Sequence, residues 1–480
     1  MSRAEDKQVT PKSEDYARWY TDVVQKSELA DYAPTRGSMV IRPHGYALWE
    51  KIQGTLDRMF KETGHRNVYF PLLIPESFIK KEAEHVEGFA PELAVVTHGG
   101  GKRLEEPLIV RPTSETIINA TLSKWIRSYR DLPLLINQWC NIVRWELRPR
   151  LFLRTLEFLW QEGHTAHATE AEAEEEALQM LEIYRKFGEE YAAIPVLVGR
   201  KSESEKFAGA VHTYAIEAMM GDRRALQGAT SHNLGQNFAR AFGIQYQDRS
   251  NELQYVWQTS WGLSTRVIGA IVMVHGDDQG LVLPPRLTPI QVVVVPIWGD
   301  DRERDPVMNV VAEIKERLGD QVALEVDDRD EYSPGWKFNE WEQKGVPLRI
   351  EIGPQDVANE QVVLVRRDTG EKLTVAQTEL SSQVHKLLEE IQQNLFDRAL
   401  RFQQENTHEP EDFEAFKRII DEQGGFLVAW WCGSADCETA IKEETKATIR
   451  CIPFDQPEGT GGCIYCDNEA KEQVVLAKAY

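Results

Sequence analysis

Arginine, glutamate and phenylalanine side chains recur at strand-compatible spacing in one short stretch of the sequence. Arg144 lies two positions before Glu146, so both side chains would share one face of a β-strand, because alternate residues point to the same side. Arg154, Phe158 and Glu162 follow at intervals of four and would share a face of the next strand. Guanidinium groups, an aromatic ring and carboxylates on one surface are suited to binding phosphates and a purine. A salt-bridged sheet surface explains an isolated Arg-x-Glu pair, whereas the full spacing favours a site of ATP size.

A second chemical signal is formed by four cysteines near the C-terminus. Cys432 and Cys437 form one close pair, and Cys463 and Cys466 form another. Two such pairs are typical of a tetrahedral zinc site with four thiolate ligands, and disulfides are the poorer explanation in a cytosolic chain. The sequence therefore predicts structural Zn²⁺, and four reduced thiols without metal are the alternative.

The stretch from residue 144 to residue 162 resembles motif 2 of the class II aminoacyl-tRNA synthetases. Residues 64–71 and 261–266 resemble motifs 1 and 3 of that class and flank it in the expected order. The resemblance implies a dimer interface at motif 1. At motif 3 it implies a glycine that opens a helix and Arg266 on the γ-phosphate, because a helix N-terminus favours anions. Either flanking motif alone is weak, since glycines also serve packing.

The amino-acid substrate is suggested by residues 111–115, Arg-Pro-Thr-Ser-Glu, which resemble the proline-binding loop of prolyl-tRNA synthetases. Proline carries a secondary ammonium, which needs a carboxylate and an oxygen acceptor, and Glu115 and Thr113 can supply them. A purely structural alternative is that Thr113 caps the following helix while Glu115 complements the helix dipole. Residues 227–238 complete the match to this family.

The resemblance assigns roles residue by residue. It implies catalytic roles for Arg144, Glu146 and Arg266, and it places proline at Thr113, Glu115, Arg144 and His232. It places ATP at Arg144, Arg154, Thr155, Phe158, Gln227, Thr230, Ser264 and Arg266, with Mg²⁺ at Gln227. Ser264 stands where many relatives have threonine, and the hydroxyl is kept.

These side chains must be positioned by a large scaffold whose elements follow from hydrophobic periodicity. Helices are expected over residues 16–29, 46–60 and 170–191, and strands over residues 68–74, 134–144, 152–160, 211–219 and 253–261. The fold class expected from this pattern is an α+β catalytic core built on an antiparallel sheet. Three prolines within residues 283–289 then mark a domain boundary.

Beyond that boundary the strands and helices alternate, which indicates a small α/β domain with a mixed sheet. Residues 335–342, with Lys344 and Arg349, resemble the segment that reads the tRNA anticodon in the family, and aromatic and cationic side chains suit unstacked bases. The expected domains are a catalytic domain at 1–284, an anticodon-binding α/β domain at 285–400 and a small C-terminal α/β zinc domain at 401–480.

Composition narrows the class of protein further. With 55 basic and 77 acidic side chains the formal net charge is −22, which argues against binding nucleic acid through bulk charge. No apolar run approaches the ~20 residues that a transmembrane helix needs, and the polar start resembles no signal peptide. We therefore expect a cytoplasmic protein without a membrane span.

The resemblance covers essentially the whole chain and implies an aminoacyl-tRNA ligase. It would activate L-proline with ATP and transfer it to tRNA(Pro), as a homodimer of the archaeal or eukaryotic-like type without an editing insertion. Class II synthetases for threonine, glycine or histidine share the ATP motifs and are one alternative. The other is a noncatalytic RNA-binding or regulatory paralogue.

Overall fold

The structure is a computed structural model that describes residues 9–85, 93–146 and 148–480. Among these residues no helix is both long enough and apolar enough to cross a membrane. The elements up to residue 284 are, in chain order, α1 (Tyr16–Lys26), β1 (Ala30–Tyr32), β2 (Met39–Ile41), α2 (Pro43–Glu62), β3 (Arg66–Asn67), β4 (Leu73–Pro75), α3 (Glu76–His85), β5 (Ala94–Gly99), β6 (Lys102–Val110), α4 (Glu115–Trp125), β7 (Leu134–Val143), β8 (Glu157–His167), α5 (Glu170–Lys186), β9 (Val196–Arg200), β10 (His212–Met219), β11 (Ala225–Gly235), α6 (Asn237–Phe242), β12 (Gln245–Gln247), β13 (Leu253–Tyr255), β14 (Trp257–Ser264) and α7 (Arg266–His275).

The rest of the chain forms two further groups of elements. The first consists of β15 (Val292–Pro296), α8 (Asp301–Leu318), β16 (Leu324–Val326), α9 (Pro334–Gln343), β17 (Leu348–Ile352), α10 (Pro354–Ala358), β18 (Gln361–Arg366), β19 (Lys372–Ala376) and α11 (Leu380–Glu405). The second consists of β20 (Thr407–His408), α12 (Phe413–Glu422), β21 (Phe426–Trp431), α13 (Ala435–Thr445), β22 (Thr448–Pro453), β23 (Gly461–Gly462), β24 (Glu469–Ala470) and β25 (Glu472–Ala477).

A large sheet positions the candidate site. Its central strands run in the order β9-β10-β11-β14-β8-β7 and all pair antiparallel, which confirms the expected core. One face of this sheet is covered by the main hydrophobic core, to which α1, α2, α5 and α7 contribute buried side chains. The interval between Glu162 and Arg266 is occupied by the rest of β8, by α5 and α6, and by strands β9 to β14.

The elements from β15 to α11 form a five-stranded sheet in the order β16-β15-β17-β18-β19. Strand β15 pairs parallel with β16 and β17, while β17, β18 and β19 pair antiparallel, so the sheet is mixed as expected. Buried aliphatic residues from β15, β17 and β18 pack against α8 and α11. Helix α11 continues past residue 400, and the division at 284 and 400 stays a prediction.

The C-terminal strands extend the catalytic sheet. Strands β21, β25 and β22 pair antiparallel, and β22 then pairs with β9 through Ile452 opposite Arg200 and Pro453 opposite Gly199. The result is one sheet of eleven strands within the described residues, running from β20 to β3. The last unit is therefore hydrogen-bonded to β9, the strand that pairs with β10.

Three expected strands are wrong in detail. Residues 253–261 divide into β13, which pairs with β12, and the start of β14, which lies in the large sheet. Residues 152–156 do not belong to β8, because Leu151, Phe152 and Leu153 turn into the main core and Phe152 has a φ of +61°. Their apolar side chains fill a loop that folds inward. Residues 68–74 do not form one continuous strand. Strand β3 ends at Asn67 and β4 begins at Leu73, because Pro71 between them has no N–H with which to continue a ladder.

Candidate active site

The uncovered face of the central sheet carries the candidate site in hydrogen-bonded rows. In one row Glu162 of β8 lies opposite Gly262 of β14, which lies opposite Thr230 of β11. Two positions along, His164, Ser260, His232 and Thr213 form the next row. Because strand side chains alternate, both rows point to the same side. Gly262 has no side chain, so the middle of the floor stays open. The backbones also approach closely there, since a Cβ at this position would lie 3.1 Å from the Gln161 carbonyl oxygen.

These rows form the floor of a cavity of about 300 Å³. Nine of the predicted site residues line it, namely Thr113, Glu115, Arg144, Phe158, Gln227, Thr230, His232, Ser264 and Arg266. A second cavity of about 150 Å³ shares Arg144, Phe158, Ser264 and Arg266 with the first and adds Glu146, Arg154 and Thr155. The structure thus brings all twelve predicted substrate-site residues to two adjoining cavities.

Arg144, Arg154 and Arg266 form a cationic group where the two cavities meet. The Arg144 Nε donates to the Pro112 carbonyl at 3.0 Å, and its guanidinium carbon lies 5.6 Å from the centre of the Phe158 ring. The Arg266 Nε donates to the Leu153 carbonyl at 3.3 Å. Desolvation lowers the pKa of Arg266, and the like charges of Arg144 and Arg154 lower it further. A bound polyanion would relieve this repulsion.

Two sequence-based details of this group are wrong. Arg154 is not on β8, so it does not share a strand face with Phe158; it lies in the loop before the strand, with its Nε 3.6 Å from Glu146 Oε2. Gly262 does not open a helix, because it lies within β14 and α7 begins at Arg266. The arginine at the helix start nevertheless lines both cavities.

Thr113 and Glu115 lie together in the larger cavity and do not line the smaller one. Each is 5% exposed, and the Thr113 hydroxyl donates to Glu115 Oε2. The structural alternative that Thr113 caps α4 is wrong, since Ser114 occupies the N-cap position. The Ser114 hydroxyl also makes no cap, because it donates to Glu162 Oε1. A buried carboxylate with an adjacent hydroxyl therefore faces the cavity.

Glu162 is a buried carboxylate of the cavity that was not predicted as a site residue. It lines the same cavity and accepts hydrogen bonds from Ser114 and from the Gln138 Nε2 at 2.5 Å, with the His164 Nε2 at 3.4 Å. Burial raises the pKa of Glu162, but the hydrogen bonds from His164, Ser114 and Gln138 outweigh it and hold the pKa below the usual value. The signal available in the sequence was its place in motif 2, four residues after Phe158.

His232 is held between Thr213 and Phe207. Its Nδ1 lies 2.9 Å from the Thr213 hydroxyl, and its ring centre lies 4.9 Å from that of Phe207. Burial, and then the neighbouring His164, lower the pKa of His232 to about 3. The imidazole is therefore neutral at pH 7. Thr213 and Phe207 were not predicted as site residues, because only strand pairing and loop packing bring them to the cavity.

A test of this protonation state follows from the low pKa. A histidine charges below about pH 6.5 in an unfolded chain, whereas His232 stays neutral in the fold down to about pH 3. We expect the KM for the amino acid to show no His232-dependent inflection between pH 5.5 and pH 8. Steady-state kinetics across this range would measure it. An inflection near pH 6.5 in the parent protein that disappears in His232→Gln would contradict the assignment.

The four predicted zinc ligands converge in the C-terminal unit. The Sγ atoms of Cys432, Cys437, Cys463 and Cys466 lie within 4.8 Å of one another, and Cys432 Sγ is 3.7 Å from both Cys437 Sγ and Cys466 Sγ. Ligands at about 2.3 Å from a tetrahedral zinc are separated by about 3.8 Å, so the cluster fits this ion. Burial raises the pKa of Cys463, but nearby backbone N–H groups outweigh it and lower it to about 7.

Two basic residues of the segment that resembles an anticodon reader, Lys344 and Arg349, form ion pairs within the protein. Arg349 is 2.9 Å from both Glu342 and Glu351, and Lys344 pairs with Glu340 at 2.9 Å. Nearby, Tyr332 and Trp336 are stacked at 3.8 Å between ring centres. Tyr332, just before the segment, and Trp336 within it therefore form a half-buried aromatic surface.

Comparison with known proteins adds three family matches along the chain. Residues 96–275 match the tRNA synthetase class II core domain (G, H, P, S and T). Residues 291–387 match an anticodon binding domain, and residues 413–480 match the C-terminal domain of prolyl-tRNA synthetase. The gaps between these matches fall at the proline-rich boundary and in and just after α11.

Relatives named proline--tRNA ligase match along nearly the full length. That of Alkaliphilus oremlandii is 57% identical over 473 residues, covering 98% of each chain, and that of Chlorobium limicola is 58% identical over 482 residues, covering 98% of this chain and 99% of the relative. The chloroplastic/mitochondrial relative of Arabidopsis thaliana is 56% identical over 99% of this chain and 89% of its own.

Proposed function

The chain belongs to the proline--tRNA ligase family, a group of class II aminoacyl-tRNA synthetases, and from this we propose how its residues carry out the reaction. The proposal is that the larger cavity holds proline beside the α-phosphate of ATP and that the smaller one receives the distal phosphates. The observation that carries it is the convergence of three arginines with the buried Thr113–Glu115 pair around one continuous site.

Proline would bind at the Thr113–Glu115 end. Glu115 supplies the counter-charge for the secondary ammonium, and Thr113 supplies an oxygen acceptor beside it. The neutral ring of His232, packed on Phe207, closes the apolar side of the pyrrolidine site. The proline carboxylate would then lie toward Arg144, the cavity-lining arginine close enough to Glu115 to feel its charge.

ATP would bind across the meeting point of the two cavities. Arg144 would hold the α-phosphate, and Arg154 and Arg266 the distal phosphates, because guanidinium forks match phosphate oxygens. Phe158 offers a ring face to the adenine. The remaining polar groups proposed to contact the nucleotide are Thr155, Gln227, Thr230 and Ser264.

Mg²⁺ is proposed to accompany the triphosphate. The amide oxygen of Gln227 lines the cavity and is a hard ligand of the type that this ion accepts. The ion supplies charge neutralisation when bound.

The reaction would proceed in two steps. The carboxylate of proline attacks the α-phosphorus of ATP and releases pyrophosphate, and the terminal ribose hydroxyl of the tRNA then attacks the adenylate and releases AMP. The protein supplies position and charge: Arg144 would touch both the carboxylate and the α-phosphate, where negative charge builds up. Glu146 would act on Arg154, whose guanidinium it holds at 3.6 Å.

Aminoacylation tests the proposed function against its alternatives. Purified protein should attach proline to tRNA bearing a proline anticodon, and it should attach no threonine, glycine or histidine to their tRNAs. Attachment of one of those amino acids would support a different specificity. Binding of tRNA without attachment of any amino acid would support the noncatalytic paralogue.

Zn²⁺ is proposed to occupy the four-cysteine cluster as a structural ion. Purified protein should contain about one zinc per chain, and Cys463→Ser should lower both the zinc content and the stability of the C-terminal unit. Elemental analysis and thermal unfolding measure these effects, with Cys140→Ser, outside the cluster, as the control. Zinc-free protein from zinc-replete medium would contradict the assignment.

The remaining proposals concern assembly and location. We infer a homodimer from the motif 1 region, where Tyr69, Leu73 and Val95 are 66%, 41% and 47% exposed. Large apolar side chains exposed close together are typical of interfaces.

A cytoplasmic location is proposed because four thiols suited to metal are kept as free cysteines. The three-domain division at 284 and 400 is proposed on the sequence boundaries.

A further inference from the structure

The loop of residues 201–207 joins β9 to the segment before β10 and supplies two walls of the proposed proline cavity. Glu205 and Phe207 both line that cavity. The Phe207 N–H donates to the Thr213 hydroxyl at 3.0 Å, and this hydroxyl is 2.9 Å from His232 Nδ1. The position of the loop therefore determines where Phe207, Thr213 and His232 stand relative to one another.

This loop is attached to the C-terminal unit through one carboxylate. Glu438 of α13 is 5% exposed, and both of its oxygens accept hydrogen bonds from the loop: Oε1 from the Ser202 hydroxyl at 2.6 Å and Oε2 from the Ser204 hydroxyl at 2.7 Å. A second contact lies one turn further along α13, where Lys442 Nζ is 3.3 Å from Glu205 Oε1. The carboxylate thus bridges two loop residues from a helix more than two hundred positions away in the chain.

The start of the loop is fixed to the same unit. Lys201 is 3% exposed, and its Nζ donates to the Arg450 carbonyl at 2.6 Å and to Glu217 Oε1 at 2.7 Å. Arg450 of β22 in turn donates to both oxygens of Glu217. The base of the loop is therefore held by a buried ion cluster, and the two hydroxyl contacts to Glu438 fix the residues that follow it.

We propose that Glu438 is a positioning residue for proline binding. It holds residues 201–207 in the arrangement that places Glu205 and Phe207 in the cavity wall and keeps Thr213 against His232. The C-terminal unit contributes to substrate binding in this way without itself lining the cavity. This inference rests on the proposed assignment of the proline site.

The proposal predicts a selective effect on proline. Glu438→Ala removes both acceptors, and hydrogen bonds to a charged group are strong enough that we expect the KM for proline to rise roughly tenfold. The KM for ATP should change by less than about twofold, because Arg144, Arg154 and Arg266 are held by Pro112, Glu146 and Leu153, which lie outside the loop. Glu438→Gln, which keeps one carbonyl acceptor, should give a smaller rise.

A matched set of variants separates positioning from general stability. The double change Ser202→Ala and Ser204→Ala removes the two loop donors of the same hydrogen bonds. It should therefore raise the KM for proline as much as Glu438→Ala does, while leaving α13 intact. Combining these changes with Glu438→Ala should add nothing, because interacting partners are not additive. Glu443→Ala, an exposed glutamate on the same helix, is the control and should behave like the parent.

Proline-dependent exchange of pyrophosphate into ATP, measured against both substrates, is the experiment. Active parent protein together with an unchanged KM for proline in Glu438→Ala would overturn the proposal and leave the proposed function intact. Additive effects of the serine and glutamate changes, or equal rises for ATP and proline, would also overturn it. Parent protein with no proline-dependent exchange would overturn the proline-site assignment and this inference with it.

Discussion

Glu115→Ala is expected to lower proline-dependent pyrophosphate exchange by at least about a hundredfold while ATP binding stays within about twofold of the parent. The reason is that the substrate ammonium would be buried beside Thr113 without its counter-charge, and an uncompensated buried charge costs about 3 to 5 kcal/mol. Exchange kinetics and equilibrium binding of ATP measure the two effects separately.

Two controls sharpen this expectation. Glu115→Gln keeps the size and an acceptor but removes the charge, so a similarly large loss would identify the charge as the cause. Glu105→Ala, an exposed carboxylate on β6, should have no effect. Equal loss of ATP and proline binding in Glu115→Ala would show that the two ends of the site do not have the separate roles proposed.

Arg266→Ala is expected to weaken ATP binding by about ten- to a hundredfold with little change in proline binding. Charge-assisted hydrogen bonds to phosphate are each worth about 1.5 to 3 kcal/mol, and this arginine reaches both cavities. Desolvation, and then the like charges of Arg144 and Arg154, lower the pKa of Arg266, so removing this buried charge should not destabilise the empty protein. ATP titration and thermal unfolding measure the two outcomes.

The arginine prediction also has its controls. Arg266→Lys keeps the charge but loses the fork and should recover only part of the affinity. Arg302→Ala removes an arginine whose side chain is 91% exposed on α8, and it should leave ATP binding unchanged. Undiminished ATP binding together with lost stability in Arg266→Ala would indicate that the residue is structural.

Local patterns predicted most of what lies close together in the sequence. The alternating strands β7, β10 and β14 and the paired cysteines follow from residue spacing alone, because strand faces and metal loops are set over a few residues. The candidate site residues were placed by resemblance to a family, and the structure gathers them in two adjoining cavities.

What the sequence did not predict depends on long-range packing. Arg154 reaches the site from a loop because Leu151 to Leu153 fill the core. The sequence pattern of such an inward-folding loop cannot be distinguished from that of a strand. Glu162 became part of the site through Ser114 and Gln138, which come from separate elements. The pairing of β22 with β9 joins residues far apart in the chain, and no local pattern specifies such a partner.

Exchange of labelled pyrophosphate into ATP by the purified protein shows whether this site activates proline. We expect exchange that requires proline and Mg²⁺, needs no tRNA, and is not supported at comparable rates by threonine, glycine or histidine. Folded, metal-replete protein that binds ATP but shows no proline-dependent exchange would contradict it.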